Sequence, residues 1–218
     1  DAPVTPRRCA DETAELAKVT RELSRADLRR LMSISDALAE LNYQRFQAFD
    51  NDASEGALQA VFAFAGDVYD GDWKDNTIGL FFNRELSRLE RAGIRVILLK
   101  GNHDAESVIS RTIPLPSSVR EFSSRTPETF KLDDLRVALH GRSFPNRAVP
   151  ENFAVDYPSP VPGWFNIGVL HTSCNGRPGH ESYAPCTPAD LAARDYQYWA
   201  LGHVHEYEGL SEDPCIVF

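Results

Sequence analysis

Cysteine is scarce in this chain, and an excess of positive charge is missing. Four cysteines, Cys9, Cys174, Cys186 and Cys215, are spread over 218 residues. None forms a Cys-x-x-Cys pair, so their spacing gives no zinc knuckle, and the reading is of reduced thiols in a cytoplasmic protein. The net charge is −9. Residues 1–70 hold 8 basic and 13 acidic groups, and residues 71–218 hold 15 and 19. Neither part is a basic module, so contact with nucleic acid would need a local patch or bound cations rather than bulk charge. No apolar run approaches the roughly 20 residues that cross a bilayer, so no membrane partner is expected. No secretory pattern opens the chain. It begins at Asp1, which reads as a missing true start, and Cys215-Ile216-Val217-Phe218 reads as a strand cut in mid-course. There is no internal repeat and no low-complexity tract.

What is present is an ordinary globular composition, 42% apolar and 25% charged, long enough for one or two domains and a sizeable core. Residues 10–49 have helical spacing. Leu16, Val19 and Leu23 mark one amphipathic segment; Ile34, Leu38, Leu41 and Phe49 mark another. Ser24 with Asp27, and Ser33 with Asp36, resemble capping boxes. Residues 58–65 then read as a buried strand stopped by Gly66. Residues 75–92 read as a helix with Leu80, Phe81, Leu86 and Leu89 on its apolar side, and residues 94–99 as an aliphatic strand covered on both faces. Strand, helix, strand at this spacing predicts a βαβ unit. Further strands are predicted at 128–132, 135–140, 165–170 and 198–201, with a turn at Asp133-Asp134. The fold class expected is α/β with a mixed sheet, divided into a helical segment over 1–57 and a core over 58–218.

Four short blocks carry the chemistry: Gly66-Asp67-Val68-Tyr69-Asp70, Gly101-Asn102-His103-Asp104, His171-Thr172-Ser173 and Gly202-His203-Val204-His205. Each falls at the end of a predicted strand. A phosphodiester resists hydrolysis because its charge repels nucleophiles and its leaving group is poor. Two divalent cations about 3.5–4 Å apart answer both difficulties. Asp67 is the natural bridging carboxylate, Asn102 offers an amide oxygen, and His171, His203 and His205 offer imidazole nitrogens. His103, beside Asn102, is placed to protonate a leaving alkoxide, with Asp70 or Asp104 to orient its ring. Each block alone has a plainer reading. Gly-Asp after a strand and Asn-His-Asp after Gly are common loops, and a histidine at a strand end is more often hydrogen-bonded structure than a ligand. The ordered set of four carries the assignment.

From about Gly66 to Phe218 the chain resembles the calcineurin-like metallophosphoesterases of the SbcD DNA exonuclease type. The resemblance rests on those four blocks together with Gly71-Asp72-Trp73, Leu139-His140-Gly141, Ser143-Phe144, His180 and Tyr183-Ala184-Pro185-Cys186. It implies a two-sheet sandwich flanked by helices, DNA as substrate, manganese as the cation and an SbcC-like ATPase as partner. It also implies that Asp67 bridges the metals, that Asn102, His171 and His203 complete one of them, that His205 serves the other, and that His103 is catalytic. That family opens with a strand bearing Asp-x-His, which occurs nowhere in this chain. The second metal then keeps only Asp67 and His205, which predicts impaired activity, and a neighbouring strand is expected to lack its partner.

Residues 1 to about 70 instead resemble the YaaA family of cytoplasmic peroxide-stress and DNA-binding proteins. The matching text is Thr5-Pro6-Arg7-Arg8, Leu23-Ser24, Leu31-Met32-Ser33-Ile34-Ser35, Leu38-Ala39-Glu40-Leu41-Asn42, Arg45-Phe46 and Ala63-Phe64. Both resemblances share a Gly-Asp-Val-Tyr string and meet there, so the simplest account is a hybrid joined at residues 66–69. The rival expectation is therefore a non-enzymatic DNA-binding or stress-response protein. Arg21, Arg25 and Arg29 recur every four residues, which aligns them for phosphate contact or for a solvated helix face. Trp73 suits base stacking or a half-buried helix start. His140 and His180 fit no ligand slot.

Overall fold

The computed structural model describes residues 43–47, 60–69, 76–91, 93–175, 183–204 and 207–218. Strand β1 spans Tyr43–Gln47 and β2 spans Ala60–Ala65. Helix α1, Thr77–Arg91, leads to β3, Arg95–Leu99. Two short helices follow, α2 over Asn102–Glu106 and α3 over Val108–Thr112, and then β4, Val119–Glu121. These four strands form one sheet in the order β1-β2-β3-β4. Strands β5 (Glu128–Leu132), β6 (Val137–Gly141), β7 (Phe165–His171), β8 (Tyr198–Gly202), β9 (Gly209–Glu212) and β10 (Cys215–Val217) form the other, ordered β5-β6-β7-β8-β10-β9. A 3-10 turn at Phe153–Asp156 and helix α4, Pro188–Ala192, lie in its connections.

The predicted βαβ unit is present: β2 and β3 run parallel with Val61 opposite Arg95 and Ala65 opposite Leu99. Four of the five residues of β3 are buried, as an aliphatic strand between two layers requires. Helix α1 buries Phe82, Leu86 and Leu89 against Phe64, Val96 and Leu98. Leu86 and Leu89 are buried as read in the sequence, but Leu80 is 62% exposed and Phe82 takes the core place expected of Phe81. The close fit explains the difference. Gly79 lies against Ile109 and Ile113, where a Cβ would approach Ile113 Cδ1 to 2.6 Å, and Phe82 lies one turn on from it. Arg88 and Arg91 in the last turn suit the negative end of the helix dipole, and Gly93 (φ 72°) turns the chain out.

One core cluster draws Val61, Ala63 and Ala65 of β2 and Ile97 and Leu99 of β3 together with Leu139 of β6 and Ile167 and Val169 of β7. The two sheets thus share apolar surface. A second cluster covers the far side of the six-stranded sheet, where Trp199, Leu201, Leu170 and Ile216 meet Phe153, Tyr157 and Leu191. Trp199 is fully buried and donates its ring N–H to the Leu191 carbonyl at 3.1 Å. Its ring occupies the space over Gly168 that a side chain would need, which keeps β7 and β8 in close parallel register, His171 opposite Gly202. Burying such an aromatic side chain contributes about 1.5–3 kcal/mol.

Two expectations are corrected. Residues 43–47 were read within a helical stretch; they form a strand, antiparallel to β2 with Tyr43 opposite Phe64 and Gln47 opposite Ala60. Helical periodicity there loses to the open edge of β2, whose backbone groups need partners. For the same reason the neighbour expected to stand without a partner is paired on both sides, by β1 and β3. Among the cysteines, Cys174 and Cys186 carry free thiols, and Cys9 lies outside the described residues. The rest of the helical reading over 1–42 and the division at residues 57/58 lie outside the described residues. No described helix is long and apolar enough to cross a membrane.

Candidate metal centre

Parallel strands β2, β3, β7 and β8 all bring their carboxyl ends to one place. Ends of this kind gather side chains and backbone that point beyond the sheet, the usual position of a ligand site in open parallel sheets. Asp67 follows β2, Asn102 follows β3, His171 closes β7, and His203 follows β8. The structure brings these four together. One ligand atom each from Asp67, His171 and His203 lies within 4.8 Å of the others. The Asn102 amide oxygen lies 2.8 Å from His171 Nε2. Asp67, Asn102 and His171 are buried.

Close approach of the strand ends depends on glycine. A Cβ on Gly101 would sit 2.7 Å from both the Asp67 backbone nitrogen and His171 Cε1, and one on Gly66 would sit 2.5 Å from His171 Nδ1. A Cβ on Gly202 would overlap the Ala65 carbonyl. Two of the candidate ligands themselves hold backbone angles that L-residues seldom adopt, Asp67 at φ 51° and His203 at φ 100°. Strain of this sort, about 1–3 kcal/mol per residue, clusters where function needs a fixed side chain.

The electrostatics argue for a positive charge at the centre. His171 Nδ1 lies 2.8 Å from the Ala65 carbonyl, so that nitrogen carries the proton and donates it. In a neutral ring Nε2 is then a lone pair, yet it faces Asn102 Oδ1 at 2.8 Å and Asp67 Oδ2 at 3.3 Å. Three electron-rich atoms converge there, and only a proton or a cation reconciles them. Burial lowers the His171 pKa, but the Asp67 carboxylate outweighs it and the net shift is upward. Burial likewise pushes Asp67 up, and the His171 charge and hydrogen bond, with the His103 N–H, bring it below its ordinary value. Carboxylate, amide oxygen and two imidazoles suit a divalent cation in place of that proton, so the residues present fit one metal ion.

Asp104, offered in the sequence as an alternative to Asp70 for orienting His103, accepts backbone N–H bonds from Val68 (3.0 Å), Tyr69 (2.9 Å) and Gly101 (3.1 Å). Its carboxylate is thus spent on fixing the two ligand loops against each other. Burial and the nearby Asp67 charge raise its pKa to about 6, against the three N–H donors, which lower it. The only signal for this in the sequence is its place three residues beyond Gly101, in the first turn of α2. His103 is half-buried, and its backbone N–H donates to Asp67 Oδ1 at 2.9 Å; its position beside Asn102 puts it at the rim of the cluster. His140 stands apart, buried between Thr129 (2.9 Å) and Asn166 (3.0 Å) and stacked on Tyr196, in agreement with its exclusion from the ligand set. Asp70, Trp73, His180, His205, Arg21, Arg25 and Arg29 lie outside the described residues.

The site and fold define an α/β protein with a candidate metal site at the shared end of two sheets. Comparison with known proteins finds two resemblances in different parts of the chain. An uncharacterized metallophosphoesterase of Bacillus subtilis, YhaO, is 37% identical over 158 residues, 71% of this chain and 39% of its own length. Residues 2–73 match the family model for the peroxide stress protein YaaA. Within that family's reach, a UPF0246 protein of Phenylobacterium zucineum is 59% identical over 70 residues, and one of Caulobacter vibrioides is 62% identical over 69 residues. The chain spans 39% of the first of these relatives and 26% and 27% of the other two. Both resemblances read in the sequence are thus found, and together they agree with a hybrid chain.

Proposed function

We propose that this chain hydrolyses phosphodiesters with the help of a divalent cation, manganese by preference, and that its substrate is DNA. The observation that carries the reading is the convergence of Asp67, Asn102, His171 and His203 on one point, at Cβ-free glycines, in a chain similar to a metallophosphoesterase. When bound, divalent cations at such a site lower the pKa of water and neutralise phosphate charge. The protein's own part is positional. Asp67 and Asn102 present oxygens from one sheet; His171 and His203 present nitrogens from the other. Asp104 keeps the first two loops in register, and His103 stands beside the cluster, from where it can hand a proton to the departing oxygen. His205 and Asp70 complete the proposed set. With Asp-x-His missing, the second cation is poorly supplied, and turnover is expected to be well below that of a fully furnished site. The shared core between the sheets supports the expected sandwich, and an SbcC-like ATPase is the proposed partner.

The test combines metal counting with activity. One manganese ion per chain, and hydrolysis of linear duplex DNA that stops with chelator and in His203→Ala, is the expected result. Hydrolysis indifferent to chelator would remove the reading. A second reading is favoured by the family match over residues 2–73: binding of DNA without cleavage, in a peroxide-stress role. It predicts salt-dependent DNA binding by the full chain that persists in chelator and in His203→Ala.

A further inference from the structure

Three residues after His171 the chain carries Cys174, and the segment it belongs to is hydrogen-bonded to the one that carries Cys186. The Ser173 N–H donates to the Tyr183 carbonyl at 2.8 Å, and the Asn175 N–H donates to the Cys186 carbonyl at 3.0 Å. Asn175 is peptide-bonded to Cys174, so the backbones of the two cysteines are neighbours. Both thiols are free. They share a hydrogen bond, and Cys186 Sγ also lies 3.3 Å from the Thr172 hydroxyl. Nothing in the proposed hydrolysis uses either sulfur.

We propose that Cys174 and Cys186 are a dithiol site oxidised by small hydroperoxides, closing to a disulfide beside the strand that carries His171. This goes beyond the hydrolytic reading and does not depend on it. Cys186 is the attacking sulfur. The Cys174 thiol donates to it, burial opposes, and the net pKa lies below that of an ordinary thiol; the Thr172 hydroxyl beside it gives its own proton to the Ala184 carbonyl at 2.7 Å. Donating its proton raises Cys174 correspondingly, as does burial. Cys186 keeps 6% of its surface exposed against 1% for Cys174, which admits a small peroxide and disfavours bulky thiols. In the first step the Cys186 thiolate attacks a peroxide oxygen. The O–O bond breaks, the sulfur is oxidised to the sulfenic acid, and the other oxygen leaves as alkoxide or hydroxide and takes up a proton. In the second, Cys174 attacks the sulfenic sulfur, the S–S bond forms, and water leaves with the thiol proton. Closure draws Cys186 away from Thr172, whose own N–H ties the end of β7 to Gly202 at 3.1 Å, so oxidation is felt at the ends of the two histidine-bearing strands.

The experiment treats the full chain with hydrogen peroxide, removes the excess, and alkylates it in denaturant before cleavage after Glu181, which separates the two cysteines. Mass spectrometry should find the peptides joined through Cys174 and Cys186 with the loss of two hydrogens. In Cys174→Ala the first step has no second, so dimedone should capture a sulfenic acid at Cys186; in Cys186→Ala, Cys174 should remain fully alkylated. Recovery of both thiols alkylated in the wild-type chain, or joined instead to Cys9 or Cys215, overturns the proposal. Dimedone capture at Cys174 rather than Cys186 overturns the assignment of the attacking sulfur.

Discussion

Asp104 holds Val68 by accepting its backbone N–H at 3.0 Å across 36 positions of sequence. The same carboxylate takes the N–H groups of Tyr69 and Gly101, so the loop bearing Asp67 and the loop bearing Asn102 share one anchor. Asp104→Ala leaves three buried donors without it. Each orphaned donor costs about 1–3 kcal/mol, and relaxation brings the expected total to about 3–5 kcal/mol, read from urea melts. Asp104→Asn retains one acceptor oxygen and should recover part of that loss. Equal melts for wild type and Asp104→Ala would remove the anchoring role.

Gly101 and Gly209 make a matched pair for testing the site's tightness. A Cβ at Gly101 meets Asp67 and His171, while nothing lies within 4 Å of a Cβ at Gly209. Gly101→Ala should weaken manganese binding at least about tenfold, the order expected when a ligand's support is disturbed. Gly209→Ala should change stability by no more than about 0.5 kcal/mol and leave the affinity alone. Titration calorimetry on both variants checks this, and equal affinities would show that the glycine is not needed for the geometry.

How far the sequence discloses this arrangement varies by residue. Strand β3 is plain in it, because five aliphatic residues between a glycine and a lysine have little else to become. The four ligand blocks are legible as well, since each ends an apolar run. Strand β1 is not: Phe49 continues the spacing of Ile34, Leu38 and Leu41, and only the unpaired edge of β2 decides against a helix. Strands β4 and β9 span three and four residues without an apolar run, and their pairing is decided by neighbours distant in the chain. Phe82 rather than Phe81 faces the core because of what lies beneath α1. The neighbourhood of Cys174 and Cys186 is set by hydrogen bonds between segments ten or more residues apart, which no local pattern announces.

His103 differs in kind from the four converging residues. His103→Ala should leave one manganese per chain and lower the rate of DNA hydrolysis about 10²–10⁴-fold, as loss of a general acid does. Asn102→Ala should lower both. Elemental analysis beside rate measurements separates the two, and loss of metal in His103→Ala would make that histidine a ligand instead.

His140 sets an acid limit on stability. Burial holds its pKa below the ordinary value, assisted by the Arg194 charge and opposed by the hydrogen bond to Asn166. The unfolded chain takes a proton near pH ~6.5 while the folded chain resists it. The contribution is therefore whole above that pH and is lost as pH falls toward the depressed folded value. Urea melts at about pH 7.5 and about pH 5.5 should show a smaller acid-side loss in His140→Gln than in wild type. The same loss in both chains would place the acid sensitivity elsewhere.

Asp67 and Asn102 are delivered by one sheet, His171 and His203 by the other. A cation seated among them is therefore also a rivet, fastening two slabs that already share an apolar layer and the hydrogen bond from His171 to the Ala65 carbonyl. Filling the seat should slow amide exchange at the tips of β2 and β7 together, while the far ends of the same strands stay as they were. The chemistry and the cohesion of this end of the molecule would then rise and fall with one and the same ion.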